Sequence, residues 1–169
     1  PLLFRKTPTP VSEFPRERPA AAAGGLAAAR AIGLLSYRGP SGYNISQLDT
    51  GELPEVHRAS SYQRYQGEKL VRRFDAYSYH AILDAFDTHD VGRGRGGMAA
   101  ALRGIKAETI VVGLTTDIVF PPEDMHHLST LIPGARYTEI QSPFGHDGFL
   151  VESDQLNAIM LPFLGVTTA

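Results

Sequence analysis

Cysteine is absent from the 169 residues of this chain. Disulfides and thiolate metal sites are therefore excluded, and a reducing compartment, the cytoplasm, is the expected location. A charge excess is absent as well: 16 Lys and Arg stand against 18 Asp and Glu, a formal net charge of -2. With no basic surplus to neutralise phosphates, neither a nucleic-acid partner nor a membrane-surface partner is expected. No apolar run approaches the roughly 20 residues that a membrane span needs, and no secretory leader is recognisable. The chain starts at Pro1 rather than Met, which points to a cut or partial chain. What is there, 43% hydrophobic and 20% charged residues, suits a soluble globular protein of one domain's length.

Pro8, Pro10, Pro15 and Pro19, followed by the small-residue run Ala20–Gly24, predict an irregular lead-in over residues 1–24. "GLAAARAIGLLSYR" from Gly25 reads as a helix stopped by Gly39-Pro40. A loop is expected over 39–58, then a long helical region from Tyr62 to Phe86, with Val71, Phe74, Ser78, Ile82 and Phe86 near helical spacing. Gly92–Gly97 reads as a flexible joint and "MAAALRGI" as a short helix. At Glu108 the pattern changes. "TIVVGL", 109–114, predicts a strand buried on both faces, "PPEDMHHLSTLI" a helix and "RYTEI", 136–140, a second strand. "ESDQLNAIMLPFL" closes the chain as a helix that Pro162 should kink or end. Strand, helix, strand, helix is an α/β pattern with a parallel pair. Two strands alone make a marginal sheet, so the chain is expected to be the last portion of a larger one.

Functional residues of open α/β sheets collect past the carboxyl ends of strands. Asp117 lies three residues beyond Leu114, and His146 six beyond Ile140, inside "SPFGHDGFL". One βαβ step separates them, which should set the two loops side by side. A carboxylate that orients an imidazole is the base half of a nucleophilic triad, and acid before histidine is the α/β-hydrolase order. The plainer alternative keeps Asp117 as a helix cap and His146 as a turn residue. The nucleophile is missing: a G-x-S-x-G elbow should follow a strand, whereas "GPSGY" has Tyr43 in the second glycine's place and no strand before Ser41.

Other motifs carry less. "GRGRGG", 92–97, lacks the Lys-Ser/Thr of a phosphate loop and follows a helix, so it reads as a connection. His126 and His127 are adjacent on a helix and point about 100° apart, which does not suit one metal ion. His80 and His89 complete no ligand set, so no metal is expected.

"GLAAARAIGLLSYR", "YQGEKLVRRFDAYSY", "DTHDVGRGRGG", "TTDIVFPPED" and "SPFGHDGFL", in this order, resemble the homoserine O-acetyltransferase family, acyltransferases of the α/β-hydrolase superfamily. The resemblance covers about residues 25–164 and corresponds to the carboxyl-terminal half of such an enzyme. It implies a helical lid over 25–104 and the last two core strands with their helices over 105–169. It makes Asp117 the triad acid, His146 the triad base and Asp147 the carboxylate that binds the ammonium group of homoserine. Arg30 and Tyr37 match positions that contact the amino-acid substrate, Arg30 through its carboxylate; seven residues apart, they share a helical face. The implied reaction is ping-pong acetyl transfer from acetyl-CoA to L-homoserine, a step of methionine biosynthesis, through an acyl-serine outside this chain. Acetyl-CoA is then a co-substrate, no cofactor is permanently bound, and a homodimer through the lid helices is expected. The chain alone should be inactive. A related serine or succinyl transferase, an esterase of the same fold, or an inert truncated homologue acting as a binding module remain alternatives.

Overall fold

The structure, a computed structural model, describes residues 19–50 and 57–166; most of the proline-rich lead-in lies outside them. The chain divides into two compact units, one of residues up to Ala31 with Ser61–His89, the other of Ile32–Ser60 with the residues from Asp90 onward.

The first unit is helical. Helix α1, Pro19–Tyr37, begins six residues before Gly25, where the sequence placed its start. Proline is accepted in a first helical turn, where its missing N–H would have no partner. The four alanines that follow are the strongest helix formers and outweigh Gly24-Gly25. Past α2 (Pro40–Gln47), which belongs to the second unit, the long helix expected over 62–86 is two helices, α3 (Arg58–Val71) and α4 (Ala76–Asp87). Asp75 makes the division. Its carboxylate accepts the Tyr77 and Ser78 amides at 3.0 and 2.9 Å and the Ser78 hydroxyl at 2.6 Å. That is an N-cap, and it starts a new helix in spite of the apolar spacing running across it. These amide and hydroxyl bonds hold the Asp75 carboxyl below its ordinary range, the hydroxyl foremost. Gly67 of α3 lies on Ala27 of α1, so close that a Cβ would sit 2.8 Å from the Ala27 carbonyl.

The second unit holds the end of α1, then α2 (Pro40–Gln47), α5 (Met98–Arg103), α6 (Pro122–Leu131), α7 (Gly148–Val151), α8 (Ser153–Phe163) and the two strands. Helix α2 replaces part of the expected loop. Gly39-Pro40 does stop α1, but Pro40 is also the first residue of the next helix, entered from an extended Gly39 at φ -63°, ψ 136°. Strands β1 (Ile110–Leu114) and β2 (Arg136–Ile140) pair in parallel, Val112 opposite Thr138 and Leu114 opposite Ile140. Val111, Gly113 and Leu114 are buried while Ile110 and Val112 are half-buried, so β1 is less enclosed than its apolar sequence predicts. Among the described residues β2 is its one partner strand.

Leu102, Val111 and Ile132 form the core beneath α6, joined by Ile105, Met125, Leu128, Leu131, Ala135 and Tyr137. Tyr137 ties β2 to the start of α6: its hydroxyl lies 3.2 Å from the Pro122 carbonyl and 3.0 Å from the Glu139 carboxylate. Desolvation, helped by that carboxylate, pushes the phenol up to about 12. Its ring leaves no room beside β1 for anything larger than Gly113. Pro162 falls in the last turn of α8 and ends it, as expected. No helix among the described residues is long and apolar enough to cross a membrane.

Candidate active site

The loop after β1 and the loop after β2 are laced together before any reactive group is considered. Thr116 donates its hydroxyl to the Ser142 carbonyl at 2.7 Å and accepts the Gly145 amide at 2.9 Å. Thr115 accepts the Ser142 amide at 3.2 Å, and the buried Ser142 hydroxyl accepts the Phe144 amide at 3.2 Å. Each loop thus fixes the other's backbone.

This lacing holds Asp117 against His146. Asp117 Oδ2 lies 2.8 Å from His146 Nδ1. Its other oxygen, Oδ1, accepts the amides of Val119 and Phe120 at 2.8 and 3.0 Å. The carboxylate is therefore both things that the sequence allowed: it caps the turn leading into α6 with one oxygen and orients the imidazole with the other. The Asp117 side chain is 1% exposed and that of His146 24%. The acid is sealed in while the histidine reaches the surface. A carboxylate facing Nδ1 makes that nitrogen the proton donor, which leaves the lone pair on Nε2. Nε2 has no hydrogen-bond partner among the described residues. Rings surround the imidazole: Phe120 with its centroid at 5.2 Å, Phe149 at 5.6 Å and Tyr37 at 6.0 Å.

His146 sits in a 3-10 turn, Gly145–Asp147, that runs directly into α7; the sequence had only a turn there. Gly145 takes φ +63°, open to glycine at little cost. The turn packs on the end of α1. A Cβ on Gly39 would strike the Pro143 carbonyl and come within 2.8 Å of the Gly145 nitrogen, and the Gly42 amide donates to the Pro143 carbonyl at 3.0 Å. Gly39→Ala should therefore destabilise the fold by about 1–3 kcal/mol through overpacking against backbone that cannot yield. Its φ and ψ suit alanine, so the loss would be steric alone. Gly24→Ala, in a helix with nothing within 4 Å of the new methyl, should instead stabilise by roughly 0.5–1 kcal/mol. Urea unfolding of the two variants checks both signs.

Asp147 pairs with Arg38, whose Nε lies 2.7 Å from Asp147 Oδ2. Of the residues singled out in the sequence, Asp117, His146, Asp147 and Tyr37 are thus gathered in the second unit. Arg30 lies on α1 in the first unit and is half-buried. Arg38, Phe120 and Phe149 escaped notice. For Arg38 one signal existed, a cation immediately after Tyr37 at a helix end; for the two phenylalanines only their nearness to Asp117 and His146 in the sequence. No serine hydroxyl among the described residues hydrogen-bonds to His146. No group of three potential metal ligands occurs among the described residues.

A parallel strand pair that delivers an acid and a histidine from adjacent carboxyl-terminal loops is the closing segment of an α/β-hydrolase fold. The solved homoserine O-acetyltransferase of Bacillus anthracis superposes with a TM-score of 0.74 over 87% of this chain and 42% of its own, at 16% identity. Curated relatives are much nearer in sequence. The homoserine O-acetyltransferase of Cyclobacterium marinum is 45% identical over 152 residues, 90% of this chain and 43% of that protein. The one from Thermus thermophilus is 45% identical over 141 residues, 83% of this chain and 36% of that protein. No protein-family profile matches. The chain belongs to the homoserine O-acetyltransferase family, and it spans less than half the length of these relatives.

Proposed function

We propose that this chain supplies the acid–base half of an L-homoserine O-acetyltransferase. The observation that carries the reading is the 2.8 Å contact between a buried Asp117 carboxylate and Nδ1 of a partly exposed His146. In this reading a serine from outside residues 1–169 meets Nε2. The imidazole takes the serine proton as the oxygen attacks the thioester carbonyl of acetyl-CoA. It then returns that proton to the departing thiolate, leaving acetyl-serine and free CoA. In the second half the same nitrogen takes the proton of the homoserine hydroxyl as that oxygen attacks the acetyl-serine, and gives it to the departing serine oxygen. The acetyl group moves from sulfur to oxygen to oxygen with no net change in protons. Acetyl-CoA is a co-substrate here and no resident cofactor takes part.

Phe120, Phe149 and Tyr37 lie around the His146 ring, with centroids 5.2, 5.6 and 6.0 Å away, and give it an aromatic surround. Asp147, next in sequence to the base, is a carboxylate suited to an α-ammonium group, while Arg30 and Tyr37 are the candidates for the rest of the amino acid.

The test is reconstitution. Residues 1–169 are combined with the segment that carries the serine to give the assembled enzyme, and mass spectrometry looks for an acetylated serine and for O-acetylhomoserine. Transfer to serine or from succinyl-CoA instead would overturn the substrate assignment; failure to acylate any serine would overturn the acyltransferase reading and favour an inert homologue. In the same enzyme Asp147→Asn should raise KM for homoserine by about 10-fold or more, with KM for acetyl-CoA within about 2-fold, as expected when one charge-assisted contact to a single substrate is lost. Equal effects on both substrates would remove Asp147 from ammonium binding.

A further inference from the structure

Three consecutive residues at the end of α1 face the three residues of the histidine turn. The Tyr37 ring lies 6.0 Å from that of His146, Arg38 Nε lies 2.7 Å from Asp147 Oδ2, and Gly39 is packed on Gly145 without room for a methyl group. The junction between α1 and α2 is therefore the bed against which the histidine turn rests. Within that bed the Arg38 contact is the one that acts on Asp147. A carboxylate two torsions from its backbone turns freely unless something holds it, and a side chain whose exposure is 21% has water available to compete. Arg38, at 26% exposure, brings a guanidinium against it.

We propose that Arg38 is a positioning residue for recognition of the amino group: its guanidinium, at ion-pair distance from Oδ2, holds the Asp147 carboxylate in place for an incoming ammonium. This rests on the homoserine reading of Asp147 given above. A cationic substrate group then meets a carboxylate already ordered and pays little for arranging it.

The experiment compares Arg38→Ala and Arg38→Lys with the parent in the assembled enzyme. Arg38→Ala should raise KM for homoserine about 10-fold, leave kcat within about 3-fold, and leave the rate of serine acetylation by acetyl-CoA unchanged, because the first half-reaction needs no ammonium site. Selectivity for homoserine over the analogue that lacks the amino group should fall by a similar factor; a purely structural role would lower both substrates together. Arg38→Lys should recover part of the loss, since it keeps the charge without the planar fork. In an Asp147→Asn background Arg38→Ala should add little, the two residues acting as one unit. Losses that multiply in the double variant, or an acetylation step that slows as much as transfer, would overturn the proposal. If the parent assembled enzyme itself ignores homoserine, the reading of the function fails first, and that result is separate from any effect of Arg38.

Discussion

His146→Ala should lower kcat for acetyl transfer in the assembled enzyme by about 10⁶, the loss seen when the base is removed from a triad that works as one unit. Both halves of the proposed reaction draw on the same lone pair, so neither acetyl-serine formation nor its transfer to an acceptor survives. Substrate binding need not change, and KM for either substrate should stay near that of the parent. The fold should survive as well. The lacing of Thr115, Thr116, Ser142 and Gly145 runs through backbone and hydroxyl groups that the substitution leaves alone. The imidazole reaches the surface, so its loss opens space to water rather than leaving a sealed cavity. Rapid-quench measurement of acetyl-serine separates the outcomes. A loss below about 100-fold, with normal folding by circular dichroism, would mean that another group takes the serine proton and that the dyad is a structural hydrogen bond.

How much of this site could be read in the sequence depends on how far apart its partners lie along the chain and on what joins them. Asp117 and His146 were legible because one βαβ step separates them, and parallel strands deliver their carboxyl-terminal loops to the same edge. The strand run "TIVVGL" and the glycines about the histidine carried that inference without any coordinate. The contact of Arg38 with Asp147 was not legible. It spans 109 positions, obeys no period, and depends on Gly39 and Gly145 approaching closely enough for the end of α1 to reach the turn. The helix boundaries show a different limit. Asp75 is a strong N-cap signal, but apolar residues at helical spacing continue across it, and the periodicity concealed the break. At Pro40 the same residue that terminates one helix begins the next, so a stop signal was read where there was also a start. Asp117 is the most instructive position. Its sequence context left capping and pairing with His146 as alternatives, whereas its two oxygens do both, because a carboxylate has enough lone pairs to accept two amides and an imidazole N–H.

That double duty makes Asp117→Asn the sharpest substitution after His146→Ala. Asparagine keeps an amide oxygen, which can take the place of Oδ1 and go on accepting the Val119 and Phe120 amides. The turn into α6 should hold, and unfolding should begin within a few degrees of the parent. What changes is the atom facing the imidazole. An amide NH₂ in place of Oδ2 is a donor, so Nδ1 must present its lone pair and the ring proton moves to Nε2. The imidazole is then oriented as before but carries a hydrogen where the serine proton should go, and kcat should fall by about 10⁴. Asp117→Ala removes the orienting group and the cap together. It should match or exceed that loss of activity and, because two amide groups in a buried turn lose their acceptor, also cost about 1–3 kcal/mol of stability that Asp117→Asn does not. Measuring kcat and urea stability for both variants separates the two duties of one side chain. If Asp117→Asn proved as unstable as Asp117→Ala, the cap would depend on charge rather than on an acceptor oxygen; if it kept more than about a tenth of the parent's kcat, the carboxylate would not be setting the tautomer, and the acid–base reading of this chain would fail at its buried end.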